Sequence, residues 1–206
     1  MNILLVDDHR LLAEALTGLI EARFPDAQVH QAGTLADALR LLDDRFELVL
    51  LDLSLPDATG MEAVHAVRTH APQTRTVVIS ADDRPDTVRA AIELGASGFV
   101  PKKADSRQLL AALSATLEGG VPLPPALLAQ APSPAVDTTH ELTPRQRDVL
   151  RLLIQGQSNK LICRHLGLSE SSVKTHLEAV YRRLGVSSRT QAVMAAARLG
   201  LKFPAA

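Results

Sequence analysis

The feature that most constrains this chain is a set of short apolar runs, each stopping at an ionisable group. Ile3-Leu4-Leu5-Val6 is followed by Asp7-Asp8, Leu48-Val49-Leu50-Leu51 by Asp52, and Gly98-Phe99-Val100-Pro101 by Lys102. Branched apolar runs of this length, separated by segments of helical period, read as parallel strands buried on both faces. The carboxyl ends of such strands converge on one crevice, so these carboxylates and the lysine are expected to meet. Carboxylates crowded together repel one another unless a divalent cation sits among them, and hard oxygen donors at a water-accessible edge suit Mg²⁺. The lysine beside them implies an anion as well.

The rest of the first half supplies the fold. Strand-like stretches at 2–6, 28–31, 47–51, 76–80 and 97–100 alternate with helical ones at 10–23, 34–43, 60–70, 85–94 and 105–117. Right-handed crossovers turn such an alternation into an α/β fold, a doubly wound five-stranded parallel sheet with helices on both faces. Thr34 before Leu35, Pro85, and Asp105 or Ser106 carry helix-start signals, while Gly95 and Gly98 fall where helix ends and tight turns need a permissive backbone. There is no internal repeat and no Gly-rich phosphate loop.

Charge separates this half from the next. The net charge of −1 conceals 11 basic against 18 acidic residues up to Gly120 and 11 against 5 after it, that is −7 and +6. An acidic regulatory or catalytic domain joined to a module that meets a polyanion is the implied organisation, and nucleic acid is the commonest polyanion. The seam, GGVPLPPALLAQAPSPAVDTTH over 119–140, holds five prolines and no lysine or arginine. It reads as a linker whose apolar patch at 126–129 has room for one helical turn. At 206 residues the chain has length for two modest domains. MNILLVDD has no basic region before its apolar stretch, and no apolar run approaches the roughly 20 residues that span a bilayer, so a cytoplasmic protein without membrane contact is expected. The single cysteine, Cys163, excludes an intramolecular disulfide and gives no metal-ligand cluster; with Ile162 and Leu166 beside it, a core position is expected.

Beyond the seam the periodicity is helical throughout, giving a small all-α unit. Thr143-Pro144 opens a helix through Val149, Leu150, Leu152 and Leu153 to Gly156; Ser158 caps a second that ends at Gly167; Ser169 opens a third reaching Leu184 before Gly185. Two helices joined through 165–169 form a helix-turn-helix, whose second helix lies in the major groove of double-stranded DNA with Ser171, Ser172, Lys174, Thr175 and Glu178 near base edges.

Residues 1–118 resemble the receiver domain of bacterial two-component response regulators, on VDDH at 6–9, LLDLSLPDATG at 50–60, Ser80-Ala81, and GFVPKKA at 98–104. With 119–137 as linker, residues 138–203 resemble the LuxR-type helix-turn-helix domain, on the stretch from LTPRQRDVL to SSRTQAV. On both together the chain is identified as a member of the NarL/FixJ-like class. The resemblance implies that Asp52 accepts a phosphoryl group from the phosphohistidine of a sensor histidine kinase. Asp8, Asp52 and the carbonyl of Ser54 would hold Mg²⁺, with Asp7 on a metal-bound water. Lys102 would balance phosphoryl charge, Ser80 would reach the new phosphoryl oxygen, and Phe99 would change rotamer. It implies too that Lys174, Thr175 and Glu178 face bases, that Lys160, His176, Tyr181 and Arg182 lie near phosphates, and that the last helix, about 188–199, is a dimerisation face.

Each of these has a plainer reading: a turn hydroxyl for Ser80, core for Phe99, a solvated neighbour of Lys102 for Lys103, a solvated face for the basic helix. Glu178 departs from the basic or amide residue common in the family, and a carboxylate there either accepts from cytosine N4 or points away. Gln146 and Leu161 replace customary glutamates, which implies altered helix pairing. The expected function is a transcriptional regulator switched by phosphorylation of Asp52, forming a homodimer on a near-palindromic operator, with RNA polymerase as a further partner and no catalytic turnover beyond its own phosphotransfer and dephosphorylation. A Mg²⁺-dependent phosphotransfer enzyme competes, and the basic second half argues against it. A constitutive DNA-binding protein with a scaffold receiver is the third reading.

Overall fold

The computed structural model of the chain describes residues 1–123 and 142–198. They belong to two compact units, one built on Met1–Leu117 with Pro122 and one containing 142–198.

The first unit runs β1 (Asn2–Val6), α1 (Arg10–Arg23), β2 (Gln28–Ala32), α2 (Leu35–Leu41), β3 (Phe46–Asp52), α3 (Gly60–His70), β4 (Arg75–Ser80), α4 (Pro85–Glu93), β5 (Gly98–Pro101) and α5 (Ser106–Leu117). All strands are parallel, in the order β2-β1-β3-β4-β5. The winding direction therefore reverses between β1 and β3, and a crevice opens at the carboxyl ends of that pair. Val6 is paired with Leu51, so the next residue on each strand, Asp7 and Asp52, stands at the mouth of this crevice.

Side chains alternate between sheet faces, and in β1, β3, β4 and β5 both faces are covered, whereas the edge strand β2 leaves Gln28, His30 and Gln31 exposed. Ile3, Leu5, Leu48, Leu50, Val77, Ile79 and Val100 pack with Ala13, Leu16 and Ile20 of α1 and Leu109 and Leu113 of α5. Leu4, Val6, Val49, Leu51, Val78 and Phe99 are buried too, and α2, α3 and α4 contribute buried Ala38, Val64, Val67, Val88 and Ile92. That is why β1, β3, β5 and the middle of β4 read as apolar runs. Each fully buried large side chain stabilises the fold by about 1.5–3 kcal/mol.

Local signals set the helix ends. The Thr34 hydroxyl accepts from the Asp37 N–H at 3.0 Å, and Asp105, not Ser106, starts α5 by accepting from the Gln108 N–H at 2.7 Å. Gly95 has the left-handed φ of +97° expected of it. Gly98 does not mark a turn: it lies inside β5, and its missing Cβ makes room for Pro122, whose Cγ would stand 2.6 Å from a Cβ there. After α5 the chain turns at Gly119 (φ +83°) and comes back along the free edge of β5, where the Pro122 carbonyl accepts from the Phe99 N–H at 3.0 Å.

The second unit is α6 (Pro144–Ile154), α7 (Asn159–Leu166), α8 (Glu170–Leu184) and α9 (Arg189–Arg198). Thr143 and Gln146 form a capping box on α6, so Gln146 does for the helix start what a glutamate does in that motif. Ser158 and Ser169 cap α7 and α8 through the N–H groups of Leu161 and Ser172, and Gly167 and Gly185 close them in left-handed backbone. Val149, Leu150, Leu153, Ile162, Val173, Leu177, Val180 and Ala192 form the core. Cys163 is half-buried, because Ile162 takes the inward position of α7. The patch at 126–129, the stretch 138–141 and residues 199–203 lie outside the described residues. Among the described residues no helix is long and apolar enough to cross a membrane.

Candidate functional site

The crevice brings together Asp7, Asp8, Asp52 and Lys102. Asp52 is 1% exposed and Asp7 5%, whereas Asp8 is open to solvent. Lys102 reaches in from the loop after β5: its Nζ donates to Asp52 Oδ2 at 2.7 Å and lies 3.0 Å from Asp7 Oδ2. Its own N–H donates to the Ser80 carbonyl at 2.7 Å, which ties this loop to the end of β4. Burial disfavours the Lys102 ammonium, but hydrogen bonds and charge from Asp52 and Asp7 outweigh burial and leave its pKa raised.

The remaining oxygen of Asp52, Oδ1, is buried with no hydrogen-bond partner. A carboxylate oxygen in that condition is costly unless another group meets it. Ligand atoms of Asp7, Asp8, His9 and Asp52 lie within 4.8 Å of one another. The unpartnered oxygen, the neighbouring carboxylates and the access past Asp8 fit a hard divalent cation. His9 sits over the same group, with Nδ1 2.7 Å from Asp8 Oδ1 and 3.1 Å from Asp7 Oδ1.

Ser54 is exposed in the loop after β3, and Ser80 is buried at the end of β4 with its hydroxyl accepting from the Asp82 N–H at 3.1 Å. Phe99, 2% exposed, is one strand residue along from Gly98. Lys103 is exposed, as expected, and its ammonium meets Asp83 at 2.5 Å, joining the loops after β4 and β5. Asp57 lies within the 50–60 motif, which gave it no role of its own. Its carboxylate accepts from the N–H groups of Leu35 at 2.8 Å and Ala36 at 2.9 Å, and these bonds hold it below the usual carboxylate range.

In the second unit α8 buries Val173, Leu177 and Val180. The helical period then puts Ser171, Lys174, Thr175, Glu178 and Arg182 on the exposed side, with Ser172, His176 and Tyr181 partly covered and Lys160 exposed on α7. The Thr175 hydroxyl donates back to the Ser171 carbonyl at 3.0 Å, and the Ser169 hydroxyl lies 2.9 Å from that of Ser171 and 2.8 Å from that of Ser172. Glu178 is open to solvent beside these groups. Burial pushes the Tyr181 phenol up against the opposing charge of Arg189, so this ring is a packing residue as much as a surface one. Arg189 donates to the Gln157 carbonyl and to Asn159 Oδ1, and Arg145 donates to the Leu166 carbonyl; these bonds tie α9 and α6 to the two ends of α7.

The family model described as the response regulator receiver domain matches residues 3–114, and that described as bacterial regulatory proteins, luxR family, matches 140–196. The chain is 34% identical to the glycerol metabolism activator of Pseudomonas putida, over 95% of this chain and 94% of that protein. It is 32% identical to the nitrate/nitrite response regulator protein NarL of Escherichia coli, over 94% of this chain and 93% of that one. Among solved structures, a LuxR family DNA-binding response regulator from Silicibacter pomeroyi aligns with a TM-score of 0.55 at 34% identity, covering 61% of this chain and 98% of its own. With a receiver model and a luxR-family model matched in order along the chain, and relatives above 30% identity covered over nearly their whole length, the chain belongs to the NarL-type family of transcriptional response regulators.

Proposed function

We propose that Asp52 is the phosphoacceptor of this regulator and that the reading rests above all on its divided carboxylate: Oδ2 is held by Lys102 while Oδ1 is buried and unpartnered. An oxygen of Asp52 attacks the phosphorus of a kinase phosphohistidine; the new O–P bond forms as the N–P bond breaks, and the imidazole leaves with the electron pair. Phosphoryl transfer needs mainly positioning and charge neutralisation. Lys102 supplies one positive charge from within the crevice. Asp8, Asp52 and the Ser54 carbonyl, with Asp7 through water, are the residues suited to hold Mg²⁺, which when bound neutralises further charge on the phosphoryl oxygens. Ser80 is the hydroxyl suited to the new phosphoryl oxygen and Phe99 the aromatic group that follows it. The chain acts on itself alone, by this transfer and by hydrolysis of the product.

The receiver is assigned to 1–118, the linker to 119–137 and the DNA-binding domain to 138–203. Lys174, Thr175 and Glu178 face bases, with Ser171 and Ser172 at the same end of α8; Lys160, His176, Tyr181 and Arg182 serve the phosphates. Phosphorylation shifts the chain toward a cytoplasmic homodimer that reads a near-palindromic operator and meets RNA polymerase there. Intact mass after incubation with Mg²⁺ and acetyl phosphate, followed by light scattering and gel shift, is the test. One phosphoryl group on the wild type and none on Asp52→Asn, with a donor-dependent dimer and higher DNA affinity, is expected. Equal incorporation in both proteins would overturn the assignment of Asp52.

A further inference from the structure

The loop between β3 and α3 carries more restraint than a connection needs. It leaves the sheet at Asp52 and enters α3 through the Thr59–Glu62 capping box. Between these ends Leu55 is buried and pairs with Ala58 in an isolated antiparallel bridge, which closes a turn with Pro56 and Asp57 at its tip. From that tip Asp57 crosses to a different element. Its Oδ1 accepts from the Leu35 N–H at 2.8 Å and its Oδ2 from the Ala36 N–H at 2.9 Å, the first two amides of α2. Thr34 already takes the Asp37 N–H, so α2 has its amides shared between its own cap and a carboxylate more than twenty residues away.

Proline at the position before Asp57 limits the turn backbone, and a two-oxygen grip on adjacent amides fixes direction as well as distance. Residues 53–56, which follow the acceptor Asp52, are thereby held between the sheet and α2. A backbone carbonyl used as a metal ligand has no rotamer of its own; its aim is the aim of the loop. We propose that Asp57 is a positioning residue for the cation site, fixing through Leu35 and Ala36 the backbone that presents the Ser54 carbonyl. This deepens the assignment of Asp52 as phosphoacceptor and rests on it.

Partners that orient ligands commonly alter metal affinity by about 10- to 100-fold when removed. Asp57 acts through backbone, so the lower end applies. Calorimetric titration of the full chain with MgCl₂ is expected to show a Kd about tenfold higher in Asp57→Ala and roughly threefold higher in Asp57→Asn, which loses the same charge but keeps one acceptor oxygen. The phosphorylation rate with acetyl phosphate, measured against Mg²⁺ concentration, should reach the wild-type maximum in both variants at higher Mg²⁺. Hydrogen exchange at Leu35 and Ala36 should accelerate in the same order as Kd rises.

Equal Kd increases in the two variants would overturn the proposal by assigning the effect to charge acting through space. A wild-type Kd in Asp57→Ala, or a maximal rate that saturating Mg²⁺ does not restore, would overturn it as well. Should Asp57→Ala fail to fold, Asp57→Asn decides alone: a raised Kd with a restored maximum supports the role and an unchanged Kd removes it. A wild-type chain that binds no Mg²⁺ and takes no phosphoryl group would instead sink the phosphoacceptor reading, and this proposal with it.

Discussion

Replacing Lys102 by methionine keeps the stem and removes the charge lying 2.7 Å from Asp52 and 3.0 Å from Asp7. Ligand oxygens of the two carboxylates are within 4.8 Å of each other, and like charges at that separation repel by about 3 kcal/mol at an effective dielectric of ~20. Losing one partner of a fully buried ion pair costs about 3–5 kcal/mol, but the Lys102 side chain is 18% exposed and water refills part of its place. A loss of about 2–3 kcal/mol from the receiver follows at neutral pH without divalent cations. At about 1.4 kcal/mol per decade, the amides of β1 and β3 should exchange roughly 30- to 140-fold faster through global opening. Millimolar Mg²⁺ should restore the stability, because a cation among the carboxylates relieves the same repulsion. A loss that persists undiminished with Mg²⁺ would refute this reasoning and make Lys102 a packing residue.

Gly98→Ala puts a Cβ 2.6 Å from Pro122 Cγ, so the returning chain must lift from β5; hydrogen exchange of the Phe99 amide should accelerate, with a cost of about 1–3 kcal/mol by thermal unfolding. Lys174→Ala, exposed on α8, should leave the circular dichroism of the chain unchanged while weakening DNA binding and lowering the salt slope of log K by about 1. Backbone hydrogen bonds from Ala36 and Leu35 hold the folded pKa of Asp57 below its ordinary value of 3.8, so its contribution is complete above that pH and is lost only as pH falls through the lower folded value. Amides of Leu35 and Ala36 should accordingly keep their protection at pH 3.8 and lose it on further acidification, read by exchange after acid incubation.

Much of this was legible because parallel strands buried on both faces leave a plain trace: β1, β3, β4 and β5 carry apolar residues at consecutive positions. The caps Thr34, Thr143, Ser158 and Ser169 were legible for an equally local cause, since each side chain bonds an amide three residues on. What escaped depends on distant partners. Asp57 has no role to read until α2, whose first amides lie 21 and 22 residues upstream, is folded against it. Gly98 suggested a turn because glycine is so often placed for its φ; here the cause is the approach of Pro122. Cys163 suggested core because its neighbours are apolar, yet a helix turns by about 100° per residue and Ile162 alone points inward.

Pro122 meets the outer rim of β5 with a carbonyl and brings no N–H of its own. The sheet therefore ends at that point in a residue that can accept from Phe99 but offers no donor to an incoming strand. Rims left open are where sheets recruit foreign strands and aggregate. Closing this one with proline removes the β5 side of the receiver as a template for a foreign strand.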